Sequence, residues 1–157
     1  MKNFKKMKSF LSTIAVSSFL LLTFNAFAQT KAEHHAAISE HHKMAQEHAS
    51  KIKNGESKTK AEHLKNTEEA GNHLEKASTH HQAMKSSMPE KYKEVAKPHH
   101  VIIEKHHADA KKHHTALKNE LAKDKHDDIK AKEHAHNLHG SVEKAEAEHK
   151  KLKQKTL

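Results

Sequence analysis

Cysteine, tryptophan and arginine are absent from this sequence. Without thiols there are no disulfides, thiolate zinc sites, iron–sulfur clusters or covalent c-type haem attachment. Any bound metal must be held by imidazole, carboxylate, thioether or water. Without arginine there are no bidentate guanidinium contacts. All five phenylalanines lie before residue 28, which leaves Tyr92 as the one other Phe/Trp/Tyr-class aromatic. Nucleic-acid recognition draws on both guanidinium contacts and stacking, so no nucleic-acid partner is expected. Large aliphatics are also scarce beyond residue 28, which predicts a thin, Ala-rich core in need of support, with bound metal as one physical candidate. No nucleophile elbow, phosphate loop, dinucleotide fingerprint or His-Glu-x-x-His pattern occurs, so an enzyme is not expected.

The first 28 residues read as a cleaved signal peptide. Lys2, Lys5, Lys6 and Lys8 form a basic start, residues 10–24 an apolar run interrupted by Ser and Thr, and Ala26-Phe27-Ala28 a small-x-small cleavage pattern. The run is too short and too polar for a comfortable membrane span. The expected mature chain begins at Gln29, has no transmembrane segment and is periplasmic or secreted.

What the chain does have is histidine, twenty in all and every one beyond the leader. The densest stretch is residues 97–121. His99/His100, His106/His107 and His113/His114 recur every seven residues, as do Ile103, Ala110 and Leu117. Seven residues are nearly two helical turns, so each series forms a stripe. The steps His99, Ile103, His106, Ala110, His113, Leu117, Leu121 have the spacing of a core-facing seam, with the second His of each pair flanking it. Residues 31–53 repeat the theme with His34/His35, His41/His42 and His48 beside Ile38, Ala45 and Ile52.

Four helices follow from these patterns. Asn54-Gly55 stops the first. Thr59-Lys60-Ala61-Glu62 fits a capping box that starts the second. Its seam runs His63, Thr67, Ala70, Leu74, Ala77, His81, Met84, Met88, with Gly71 as a candidate break. Residues 88–97 are expected to be a connector, with Pro98 in the first turn of helix three. Asp124, with Asp127 three residues on, is the expected cap of helix four, which runs to about residue 155 with Gly140 as a second candidate break. A shift of 65 residues lays His34/His35 on His99/His100, His41/His42 on His106/His107 and Ile38 on Ile103. Later the shift is 68, laying His81 on His149 and Met84 on Leu152, and a three-residue insertion near Gly140 would explain the change. The expected architecture is an all-α, antiparallel four-helix bundle of two duplicated hairpins, residues 31–87 and 98–155.

Histidines seven apart on one helix are about 10 Å apart and cannot share an ion, so ligands must come from several helices. Folding each hairpin places His34/His35 near His80/His81, His41/His42 near His73, and His48 near His63. It also places His99/His100 near His149, His106/His107 near His139, and His113/His114 near His134 and His136. Three imidazole layers separated by apolar residues are expected. Asp109, Glu104 and Glu133 are possible additional ligands, as are Met44 and Met84, since His/Met mixtures suit copper. Glu104/His107 and Glu133/His136 have the Glu-x-x-His spacing used in ferritin-like di-iron bundles, but no matching single Glu positions complete that set.

These features predict an exported metal buffer, store or chaperone that binds Cu, Zn, Ni or Co through interhelical imidazoles. One alternative is a b-type haem bundle, against which stands the near-absence of aromatic residues. Another is a pH-responsive structural or polyanion-binding helical protein. The thin seams could also close by homodimerisation.

Overall fold

In the computed structural model, residues 29–157 are described; the leader expected over residues 1–28 lies outside them. Four helices account for nearly all of the described chain: α1 (Lys31–Lys53), α2 (Lys60–Ser86), α3 (Glu90–Ala122) and α4 (Asp128–Thr156). No strand occurs among the described residues. Helix α1 packs on α2 and α4, and α3 packs on the same two helices, so the four surround one core.

Local chemistry sets the helix boundaries. Gly55 closes α1 at φ 68°, a left-handed conformation that costs glycine nothing. The Thr59 hydroxyl accepts from Glu62 N at 3.2 Å, and the Glu62 carboxylate accepts from Thr59 N at 3.1 Å, completing the capping box. Asp127, rather than Asp124, caps α4 by accepting from Ile129 N at 2.9 Å and Lys130 N at 3.2 Å.

Three expectations are corrected. Residues 90–97 are not connector: α3 begins at Glu90, and Pro98 lies inside it. Ala96, Met88 and the half-buried Tyr92 join an apolar cluster with Ile38, Met84, Ile103 and Leu152, and that burial extends the helix through the proline. Pro98 is exposed, so the carbonyl left without its helical donor faces solvent. Neither Gly71 nor Gly140 interrupts its helix. A Cβ at position 71 would meet His114 Nε2 at 2.4 Å, so that glycine makes room for a ring from α3. The three-residue offset also does not arise near Gly140. The caps Thr59 and Asp127 already stand 68 apart, and the extra residues lengthen the end of α3, which reaches Ala122 where α1 stops at Lys53.

The core is Ala-rich, as its composition requires. Ala45, Ala49, Ala70, Leu74, Ala110, Leu138 and Val142 form its middle. Ile52, Leu117, Leu121, Ala131 and Ala135 fill the end nearest the loops after α1 and α3. The other end, where α1 and α3 begin and α2 and α4 finish, holds most of the buried histidine.

Candidate metal centre

Six imidazoles cross this second end of the core: His35, His42, His81, His100, His107 and His149, all buried. His35 Nδ1 meets His149 Nε2 at 2.7 Å. His42 Nε2 meets His107 Nε2 at 2.7 Å, directly from α1 to the opposite helix α3. His100 Nδ1 meets His81 Nε2 at 2.8 Å. The rings of His42 and His149 lie edge-on at 6.2 Å, and those of His81 and His107 at 5.7 Å. The contacts run as one chain from His35 to His100, a single connected band instead of three separate layers.

Glu146 is the carboxylate of this band. It accepts from the Ser39 hydroxyl at 2.9 Å and from His42 Nδ1 at 2.8 Å, and lies 3.5 Å from His149 Nδ1. Burial would raise its pKa. The hydrogen bonds from His149, His42 and Ser39 outweigh that and hold it far below the carboxylate range. The rings shift the other way, towards neutrality. Burial, reinforced by repulsion from His149, lowers His35 to about 3, and burial with repulsion from His42 lowers His107 to about 3. Burial also lowers His100 and His42, in the latter against the pull of Glu146. Metal ligation needs neutral imidazole, and this core supplies it.

Proton positions follow from these charges. An ionised carboxylate only accepts, so His42 Nδ1 carries the hydrogen bonded to Glu146. A neutral His42 then has a bare Nε2, and His107 Nε2 must donate to it. That leaves His107 Nδ1 as a lone pair, and this atom is buried with no hydrogen-bond partner.

Three groups have ligand atoms within 4.8 Å of one another: His42/Glu146/His149, His48/Glu69/His73 and His63/His126/Asp128. In the first, the spacings of 2.8 and 3.5 Å bracket the roughly 3.3 Å between ligand atoms of a tetrahedral ion with bonds of about 2.0 Å. Two imidazoles and a carboxylate leave a fourth position open, and Ser39 and His35 hold Glu146 and His149 from behind. The second and third groups are nearer the surface.

The hairpin pairings are found beside this band, on half-buried rings apart from the buried His34. His34 meets His80 at 3.2 Å and His41 meets His73 at 3.1 Å. The His113 and His134 rings lie 6.5 Å apart. His48 stacks on His73 rather than on His63, and bonds Asn66. His63 instead faces His126. In the core, partners come from the other hairpin: His149 takes His35, and His81 takes His100. His99 bonds Glu148 at 2.6 Å, and His107 lies beside His42 and His81 instead of His139.

On α3 the expected seam through His99, His106 and His113 is corrected: the seam uses the second His of each early pair. His100 and His107 are buried, while His99, His106, His113 and His114 are half-buried. Either member of a pair flanks Ile103, and it is Ala96, four residues before His100, that sets the phase. His114 bonds the Thr67 carbonyl. His106 lies 4.0 Å from Asp109, and His139 lies 4.0 Å from Glu143. His136 and Glu133 are exposed. Glu104 is held by Lys85 at 2.6 Å and Gln82 at 3.2 Å. Met84 is fully buried among apolar side chains, and Met44 is half-buried.

Sequence reasoning did not single out Glu146, Glu69, Asp128 or His126. Glu146-x-x-His149 has the same spacing as the pairs that were noticed, and Glu69 stands four before His73, so the signal was present. No family model, curated protein or solved structure matches this chain. What the fold and site define is a class: a His-rich all-helical protein whose buried imidazole clusters include groups able to hold a metal ion.

Proposed function

We propose that this chain is an exported transition-metal-binding protein, a buffer, store or chaperone rather than an enzyme. The observation that carries this is the His42/Glu146/His149 group: two imidazoles and a carboxylate from two helices, with the carboxylate 2.8 and 3.5 Å from the two ring nitrogens. Two nitrogens and one oxygen suit Zn(II), Co(II), Ni(II) or Cu(II). The two outer groups add weaker sites, as a buffer requires. Export rests on the leader pattern of residues 1–28. The haem alternative draws no support, because the facing core rings already lie at hydrogen-bond distance and leave no slot for a porphyrin between them.

The test is direct. The chain from Gln29 onward is titrated with each of the four ions at pH 7.5, and the metal retained after desalting is counted. At least one retained ion per chain is expected, together with a higher melting temperature. Retention of none, with an unchanged melt, would refute the proposal.

A further inference from the structure

The core contacts repeat with matching atoms. His35 Nδ1 to His149 Nε2 at 2.7 Å corresponds to His100 Nδ1 to His81 Nε2 at 2.8 Å. The edge-on pair His42/His149, at 81°, corresponds to His107/His81, at 86°. Residues 35 and 42 differ from 100 and 107 by 65, and 81 differs from 149 by 68, the offsets already seen in the sequence. The bond His42 Nε2 to His107 Nε2 corresponds to itself. These are the relations of a pseudo-twofold axis that passes between those two nitrogens and exchanges the hairpins.

The first site uses His42 Nδ1, His149 Nδ1 and Glu146. Its image uses His107 Nδ1 and His81 Nδ1. Both of these atoms are buried without a hydrogen-bond partner, on side chains 7% and 0% exposed. The carboxylate is transposed. Glu146 corresponds to Ser78, but Ser39, which touches both Glu146 and His149, corresponds to Glu104. Each half therefore has one carboxylate and one hydroxyl at the paired positions, in exchanged order.

We infer that His81, His107 and Glu104 form a second metal site for a divalent transition ion, an alternative to the first. The inference rests on the metal-binding reading above. Glu104 reaches the ion by releasing Lys85 and Gln82, and His81 turns its Nε2–H to His100. The two sites are alternatives because one hydrogen bond joins them. Ligation through His42 Nδ1 requires the hydrogen on His42 Nε2, which makes His107 Nε2 the acceptor and places a hydrogen on His107 Nδ1. Ligation through His107 Nδ1 requires the reverse. In both arrangements the two rings are neutral and carry one hydrogen each, so no proton is gained or lost by the pair. Filling both sites would put two N–H groups face to face at 2.7 Å or strip a proton from an imidazole. The core thus takes one ion, in either of two places.

Co(II) is the probe, in the chain from Gln29 with the outer groups disabled by His73→Gln and His126→Gln. This background should retain one Co(II). Glu146→Gln and His81→Gln, each added alone, should also retain one, with different visible spectra, and together should retain none. Glu104→Gln, at a half-exposed position with little bearing on folding, should release the ion from the Glu146→Gln chain and leave it in the His81→Gln chain. Loss of all Co(II) from a helical Glu146→Gln chain would overturn the second site alone. Two equally tight core ions in the background would overturn the exclusion. No Co(II) in the unsubstituted chain would instead reject the metal-binding reading, and this inference with it.

Discussion

Acid should unfold the apoprotein over a narrow range, well above the range where carboxylates titrate. His35, His81 and His107 are 0%, 0% and 7% exposed, and burial holds them at about 3, 2 and 3, against 6.5 for a free imidazole. The folded state therefore binds fewer protons than the unfolded state once the pH drops below 6.5. Stability is fully present above that value and is lost as the pH falls towards the folded pKa values. At pH 5 each ring has forgone about one and a half units of protonation, or roughly 2 kcal/mol, and the three together roughly 6 kcal/mol. Marginal stability in a domain is about 5–15 kcal/mol, so this loss is decisive. Urea unfolding followed by circular dichroism at pH 7.5, 6.5, 5.5 and 5.0 measures it. Near pH 5 the slope should be about 4 kcal/mol per pH unit, the signature of three protons. Glu146 contributes in the same direction only below its ordinary range, outside this window. A slope below that of one proton, or equal urea midpoints at pH 7.5 and 5.0, would show that the core rings are not neutral and buried as described.

Two helix positions offer independent checks by thermal melting. Gly140→Ala meets open space and should stabilise α4 by about 0.5–1 kcal/mol, whereas Gly71→Ala must displace the His114 ring from its bond to Thr67 and should fall at least about 1 kcal/mol below it. Equal effects would mean His114 does not pack on α2. Pro98→Ala restores a helical donor on the solvent face of α3 and should raise stability by up to about 3 kcal/mol; an unchanged melt would place Pro98 in the first turn of α3 instead of its interior.

The helices and their class were legible because the seven-residue series of Ile, Ala and Leu has only one regular reading, and because Thr59 with Glu62 spells out a cap. The start of α3 was not. Pro98 looks like a first-turn residue until Ala96 and Tyr92 are seen to be buried, and that burial depends on Met84 and Leu152 from other helices. The outer pairs His34/His80 and His41/His73 followed from hairpin folding alone. The core pairs did not, since periodicity along a helix gives its buried stripe but not which facing helix supplies the partner. The phase of α3 was misplaced for a related reason: the seam reads through His99, His106 and His113, yet His99 and His100 flank Ile103 equally well, and only Ala96 decides between them. Glu146 was hidden among the many Glu-Lys neighbours of a charged helix, and only its burial against Ser39 and His42 separates it from them.

The uneven placing of histidine along the bundle gives the molecule two unlike ends. Around Ile52, Leu117, Leu121, Ala131 and Ala135 the core is mainly aliphatic, and His63 is the one buried histidine there. Around Ile38 and Ile103 the same thickness of core is threaded by rings that repel one another once charged. Amide exchange in mild acid should therefore be graded, fastest at the first turns of α1 and α3 and the last turns of α2 and α4, and slowest next to the loops after Lys53 and Ala122. A cargo held among those rings would be released by fraying at one end while the other stayed shut, and the same chain could close over a new ion without folding afresh.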